Sequence, residues 1–207
     1  MTAKDPITSV EGIRDIIGEP HPLVEKKIID TLDAVGKRYI IASPFAMLST
    51  VDSDGLPDVS PRGDASGQFI HIVDDGTLLM PERPGNKLAF SLQNIVDNGK
   101  VALIFMIPGV IETYRVHGSA QIVKDPDILQ QLEARGMPAL MAVEIKIRRC
   151  FLHCGKAVMR SSLWKTESQA GKLAFKFGET IAREAGEGKE LEEAVNQLVA
   201  EDYRDNL

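Results

Sequence analysis

The 207-residue chain is 43% hydrophobic and 26% charged, the composition of a globular protein rather than a disordered or fibrous one. Its net charge of −6 excludes a broad electrostatic grip on nucleic acid, which needs a basic face. No apolar run approaches the roughly 20 residues that span a bilayer, and the first residues lack the apolar core of a signal peptide, so a cytoplasmic protein is expected. Cys150 and Cys154 are the only cysteines, too few for a disulfide scaffold. His153 beside Cys154 has no second ligand pair at useful spacing, and no metal site is expected.

Residues 9–17 predict a short helix ended by Gly18-Glu-Pro20. Pro22 opens a longer one, in which Val24, Ile28, Leu32, Val35 and Tyr39 repeat at helical spacing. From residue 45 the period changes to that of strands. Residues 45–51 and 58–62 flank Asp52-Ser-Asp-Gly55, and residues 69–73 and 77–80 flank Asp74-Asp-Gly76; both are hairpin signals. Leu88, Leu92, Ile95 and Val96 mark the buried stripe of a helix. The apolar run 101–107 predicts a strand buried on both faces, followed by a strand over 113–123 and a short helix near Asp125-Pro126. Residues 143–148 alternate without a fault, as a strand with one wet face does. From Gln169 two helices are expected, the first carrying Leu173, Phe177 and Ile181, the second Leu191, Val195 and Leu198, with Gly186–Lys189 as linker.

About six strands in sequential hairpins, with helices at both ends, predict a mainly β fold: a closed or nearly closed antiparallel barrel with a helical tail. Residues 1–165 form the barrel domain, and 166–207 are read as a helical extension packed on it.

One stretch carries chemistry. Met80-Pro-Glu-Arg-Pro-Gly-Asn-Lys-Leu88 ends a strand, turns, and opens a helix with Arg83, Asn86 and Lys87 at its mouth. Unpaired N–H groups and the dipole at a helix start suit a phosphate or carboxylate, and adjacent cations add charge-assisted hydrogen bonds. No G-x-S-x-G elbow and no G-x-G-x-x-G fingerprint appears, so neither an α/β-hydrolase nor a dinucleotide domain is indicated.

The order Ser60-Pro-Arg-Gly-Asp64, Arg83-Pro-Gly-Asn-Lys87, Ile107-Pro-Gly109 and Glu112-Thr-Tyr-Arg-Val-His-Gly118 resembles the pyridoxamine 5′-phosphate oxidase-like family of FMN-binding split barrels, in its poorly characterised bacterial branch. The resemblance covers roughly residues 22–165. It implies a six-stranded antiparallel split barrel that binds FMN, acts as an oxidoreductase on an unknown small molecule, and forms a homodimer with FMN at the subunit interface. By the same resemblance Ser60, Arg62, Gly63 and Asp64 line the ring and ribityl chain, and Met80, Pro81 and Glu82 present backbone to the ring. Asn86 and Lys87 hold the phosphate, with Arg83 supplying the charge where the family usually has Arg in place of Asn86. Arg115 either completes the site from the partner chain or forms a surface salt bridge. Arg160 and Trp164 are candidates for contact with cofactor or substrate. The family's loop for recognising pyridoxal phosphate has no counterpart, so oxidation of pyridoxamine 5′-phosphate is not expected. The alternative is a non-catalytic module that binds or senses FMN, haem or a deazaflavin; His71, His117 and His153 are the strand-placed haem-ligand candidates.

Overall fold

A computed structural model describes residues 5–165 and 176–205. The first expected helix is α1 (Val10–Ile17), started by the Ser9 hydroxyl accepting from the Gly12 N–H and ended at Gly18. The long helix expected from Pro22 is instead broken. It consists of α2 (Pro22–Glu25) and α3 (Ala34–Ala42), the latter capped by Asp33, whose carboxylate accepts from the Gly36 N–H at 2.7 Å. Between them the backbone of Ile29 exchanges two hydrogen bonds with Cys150, at 3.1 and 2.7 Å. A residue whose backbone is satisfied by a distant strand cannot continue a helical ladder.

Seven strands follow, one more than expected: β1 (Phe45–Val51), β2 (Pro57–Gly63), β3 (His71–Asp74), β4 (Thr77–Glu82), β5 (Lys100–Met106), β6 (Thr113–Val123) and β7 (Met141–His153). They form a single sheet in the order β2-β1-β5-β6-β7-β4-β3, with every neighbouring pair antiparallel. Helix α4 (Phe90–Asn98) joins β4 to β5, α5 (Pro126–Gln131) joins β6 to β7, and α6 (Lys156–Ser161) follows β7. Register sets the core. Leu48, Leu103, Val116 and Cys150 form one buried row across four strands, beside the row of Ala46, Phe105 and Tyr114. Residues alternating with these point outward.

Three burial expectations are corrected. Strand β5 buries Val101, Leu103 and Phe105 but leaves Ala102, Ile104 and Met106 partly exposed, because among the described residues no layer fully covers its outer face. Helix α4 buries Ser91, Asn94 and Ile95, whereas Leu88 and Val96 are exposed. The helix starts only at Phe90, so Leu88 lies before it, and Val96 is a helical step away from Ile95. The tail forms α7 (Phe177–Ala185) and α8 (Lys189–Asp205), joined by a donor bond from the Gly178 N–H to Asn196 Oδ1 at 3.0 Å. Leu173 lies outside the described residues, and Phe177, Ile181 and Leu198 are exposed rather than on a packed face.

Among the described residues no helix is long and apolar enough to cross a membrane. Cys150 is buried, and burial raises its thiol pKa, while Cys154 is exposed.

Candidate functional site

The sheet's two ends meet through side chains. Strand β3 pairs with β4 only over Thr77–Leu79, so Met80–Glu82 have β7 on one side and no strand on the other. Residues at the end of β2 reach across this gap. Arg62 Nη1 donates to both carboxylate oxygens of Glu82, at 2.9 and 2.8 Å, and its Nη2 donates to Ser91 Oγ at 2.5 Å. The Ser60 hydroxyl lies 3.3 Å from the same Ser91 oxygen. One step further along, Arg83 Nε donates to Asp64 at 2.9 Å, and Arg135 Nη2 lies 3.8 Å from the other Asp64 oxygen. Two crossed Arg–carboxylate pairs therefore close the seam, with the Asp64 side chain only 4% exposed.

This closure is incomplete in one respect. Arg62 Nε and Arg83 Nη2 are buried and have no acceptor among the described residues. An unsatisfied buried donor costs about 1–3 kcal/mol, so a ligand that accepts from these two atoms recovers that free energy.

The loop beyond β4 carries the phosphate candidates. Asn86 Oδ1 accepts from the Leu88 N–H at 3.1 Å. Lys87 and Ala89 hold left-handed backbone, φ 63° and 56°, which costs roughly 1–2 kcal/mol for each non-glycine residue. Because α4 begins at Phe90, Asn86 and Lys87 stand before its first turn rather than on it, a correction to the expected helix mouth. No side chain caps that turn. Lys87 is exposed and forms no ion pair with a described residue.

The expected residues thus fall into groups. Ser60, Arg62, Asp64, Glu82 and Arg83 come together, with Gly63 ending β2 between them. Met80 and Pro81 are buried, Met80 with no exposed surface, while Glu82 is partly exposed. Arg115 lies on the outer face of β6, its guanidinium 6.0 Å from the Phe151 ring centroid, while Arg62 is on the inner face of β2. Arg160 is exposed on α6, and Trp164 Nε1 donates to the Val110 carbonyl at 2.8 Å; neither bonds to a seam residue. Ser91 and Arg135 belong to the cluster and were not singled out from the sequence. Ser91 lies in a helix with no local signal, and Arg135 lies at a turn before Gly136, where a charged residue is unremarkable.

Around Phe151 the outer face is cationic. His117 stacks on its ring at 6.1 Å, and the Lys27 ammonium lies 5.4 Å from the centroid. Burial, then Arg149 and Arg115, hold His117 below its ordinary pKa of 6.5. Burial, then Arg115 and Lys27, do the same for His153. Both rings bind a proton less readily folded than unfolded, so this contribution to stability is full above pH 6.5 and is lost as pH falls from there through the folded pKa values. Melting temperatures between about pH 7.5 and pH 5 should fall with acidity, and His117→Gln/His153→Gln should flatten the slope. An unchanged slope would remove these rings from the acid response.

A single antiparallel sheet, curled so that its ends meet through side chains alone, defines a split-barrel protein. The family profile described as pyridoxamine 5′-phosphate oxidase matches residues 33–154, more than half of the chain, and the chain belongs to that family. Similar solved structures include HupZ of Group A Streptococcus, at 23% identity and TM-score 0.49, covering 60% of this chain and 98% of that one. General stress protein 26 of Bacillus anthracis matches at 16% identity and TM-score 0.44, covering 56% and 89%. A protein of Clostridium acetobutylicum related to general stress protein 26 matches at 13% identity and TM-score 0.43, covering 58% and 86%. No curated protein matches the chain.

Proposed function

We propose that this chain binds FMN at the seam and serves as an oxidoreductase for a small molecule. The observation that carries the proposal is the pair of buried guanidinium N–H groups, Arg62 Nε and Arg83 Nη2, which have no acceptor among the described residues, with an exposed Lys87 on the loop that follows Arg83 and no described residue as its ion-pair partner. FMN presents what such a site lacks: ring carbonyls, ribityl oxygens and a phosphate. When bound, it supplies the electron-transfer chemistry, and the protein orients it and limits access by water.

In this reading Lys87 and Asn86 hold the phosphate. Arg62 and Arg83 donate to acceptor atoms of the cofactor, and Glu82 and Asp64 keep the two guanidinium groups aimed. The flat ring would lie along the gap between Gly63 at the end of β2 and the Met80–Glu82 edge of β4. Arg115, Arg160 and Trp164 complete the site across a homodimer interface, which would also cover the half-exposed Ile104 and Met106. Pyridoxamine 5′-phosphate is not the expected substrate, because the sequence has no counterpart of the family's loop for recognising pyridoxal phosphate.

The test is FMN affinity. A charge-assisted contact is worth about 1.5–3 kcal/mol, so Lys87→Ala should weaken FMN binding roughly ten- to a hundred-fold. Riboflavin, lacking the phosphate, should bind wild type and variant alike. Equal FMN affinity in the two proteins sinks the phosphate assignment.

A further inference from the structure

A second site lies away from the seam. An open groove of about 630 Å³ runs over the outer face of β5, β6 and β7 where α4 ends. Lys100, His117, Arg148 and Arg149 line it together with Asn98 and Ser119, and no carboxylate does. In a chain of net charge −6, three cations and a histidine gathered without one acid run against the composition. Lys100, Arg148 and Arg149 form no ion pair with a described residue.

The backbone builds this cluster. Along a regular strand, successive side chains face opposite ways, so Arg148 and Arg149 could not both reach one groove. The pairing of β6 with β7 slips between His117 and Gly118: His117 faces Arg149, Gly118 faces Ile147, and Arg148 is the extra residue. Such a bulge re-aims a side chain, and here both arginines are exposed along the same groove. Glycine keeps the wall low. Gly99 has φ 65°, and a Cβ there would lie 2.9 Å from the Ala120 carbonyl oxygen. Arg149 Nη2 sits 3.5 Å from His117 Nδ1; burial first, and then the charges of Arg149 and Arg115, hold that ring below its ordinary pKa.

We infer that this groove binds a small phosphorylated anion, a phosphate monoester or diphosphate, through Lys100, Arg148 and Arg149. Guanidinium forks match phosphate oxygens two at a time, and an ammonium adds a point charge. The volume is that of a small-molecule site, which spans about 300–1,000 Å³. The site is not the proposed cofactor pocket. Helix α4 separates Lys87 from Asn98, and nine helical residues span about 13 Å.

Inorganic pyrophosphate is the probe, titrated calorimetrically into the full chain while the ring signals of His117 are followed by NMR. Saturable binding that shifts the His117 signals is expected, with affinity lowered at least tenfold by Arg148→Gln/Arg149→Gln and again by Lys100→Gln. The double variant should bind FMN as wild type does, and Lys87→Ala should bind pyrophosphate as wild type does. Absence of saturable binding, or equal affinity in wild type and double variant, overturns the inference. So does loss of pyrophosphate binding in Lys87→Ala alone, which would put the anion in the seam. A change of oligomeric state in the double variant, with no pyrophosphate bound by wild type, would assign the groove to an acidic surface of a second copy and overturn it as well.

Discussion

Glu82→Ala is expected to cost about 3 kcal/mol of folding stability, measured as the shift in denaturant midpoint at constant slope. Arg62 and Glu82 are 19% and 15% exposed, so either partner is only poorly solvated when the other is removed. Water cannot replace the carboxylate well, and Arg62 would keep only its bond to Ser91 while its Nε is already without an acceptor. The loss falls at a position where no backbone ladder compensates, because Met80–Glu82 lack a strand on the seam side. Breaking a buried pair from one side costs more than deleting both partners. Arg62→Ala/Glu82→Ala should therefore cost about 1–3 kcal/mol less than the sum of the single variants. Added salt should weaken this coupling little, since screening acts chiefly on exposed charges. Additive single effects, or a loss below about 0.5 kcal/mol for Glu82→Ala, would mean that the seam is held by the core and not by its ions.

Much of this fold is legible locally. The turns at Asp52–Gly55 and Asp74–Gly76 are built by Asp52 and Asp74, whose carboxylates accept from the N–H groups of Asp54, Leu56 and Gly76, bonds that depend on the neighbouring sequence alone. The alternation of residues 143–148 maps onto β7 for the same reason. What failed was long-range. Val24, Ile28, Leu32 and Val35 keep a helical period straight through a segment whose backbone is claimed by Cys150, and periodicity carries no trace of that competitor. The half-exposed outer face of β5 is a second case, since an apolar run reports what a residue prefers to bury and not which layer is present. At the site, Arg62, Asp64, Glu82 and Arg83 stood out singly, but their crossed pairing follows from the curl of the sheet. Ser91 contributes only a hydroxyl from a helix face, a placement that no motif encodes.

The bulge that opens the basic groove also leaves no room for a side chain at Gly118. A Cβ on Gly118 would overlap the carbonyl oxygen of Lys146 and press on its carbon at 3.0 Å and on the Ile147 Cα at 3.4 Å. All three are main-chain atoms of β7, held by pairing to β6 on one side and to β4 on the other, so none can swing away as a flexible side chain would. Relief requires the two central strands to part where Val116 and Cys150 lie fully buried. Overpacking of this kind typically costs 1–3 kcal/mol, and with backbone as the obstacle Gly118→Ala should lie at the upper end, about 3 kcal/mol. Gly85→Ala is the matched control, because nothing lies within 4 Å of a Cβ at that position; it should change stability by less than about 0.5 kcal/mol. Chemical denaturation of both variants measures the difference. A Gly118→Ala protein as stable as Gly85→Ala would mean that β6 and β7 can spread at the bulge without loss. The register slip that brings Arg148 and Arg149 to one face would then be a loose feature of the sheet rather than a fixed one.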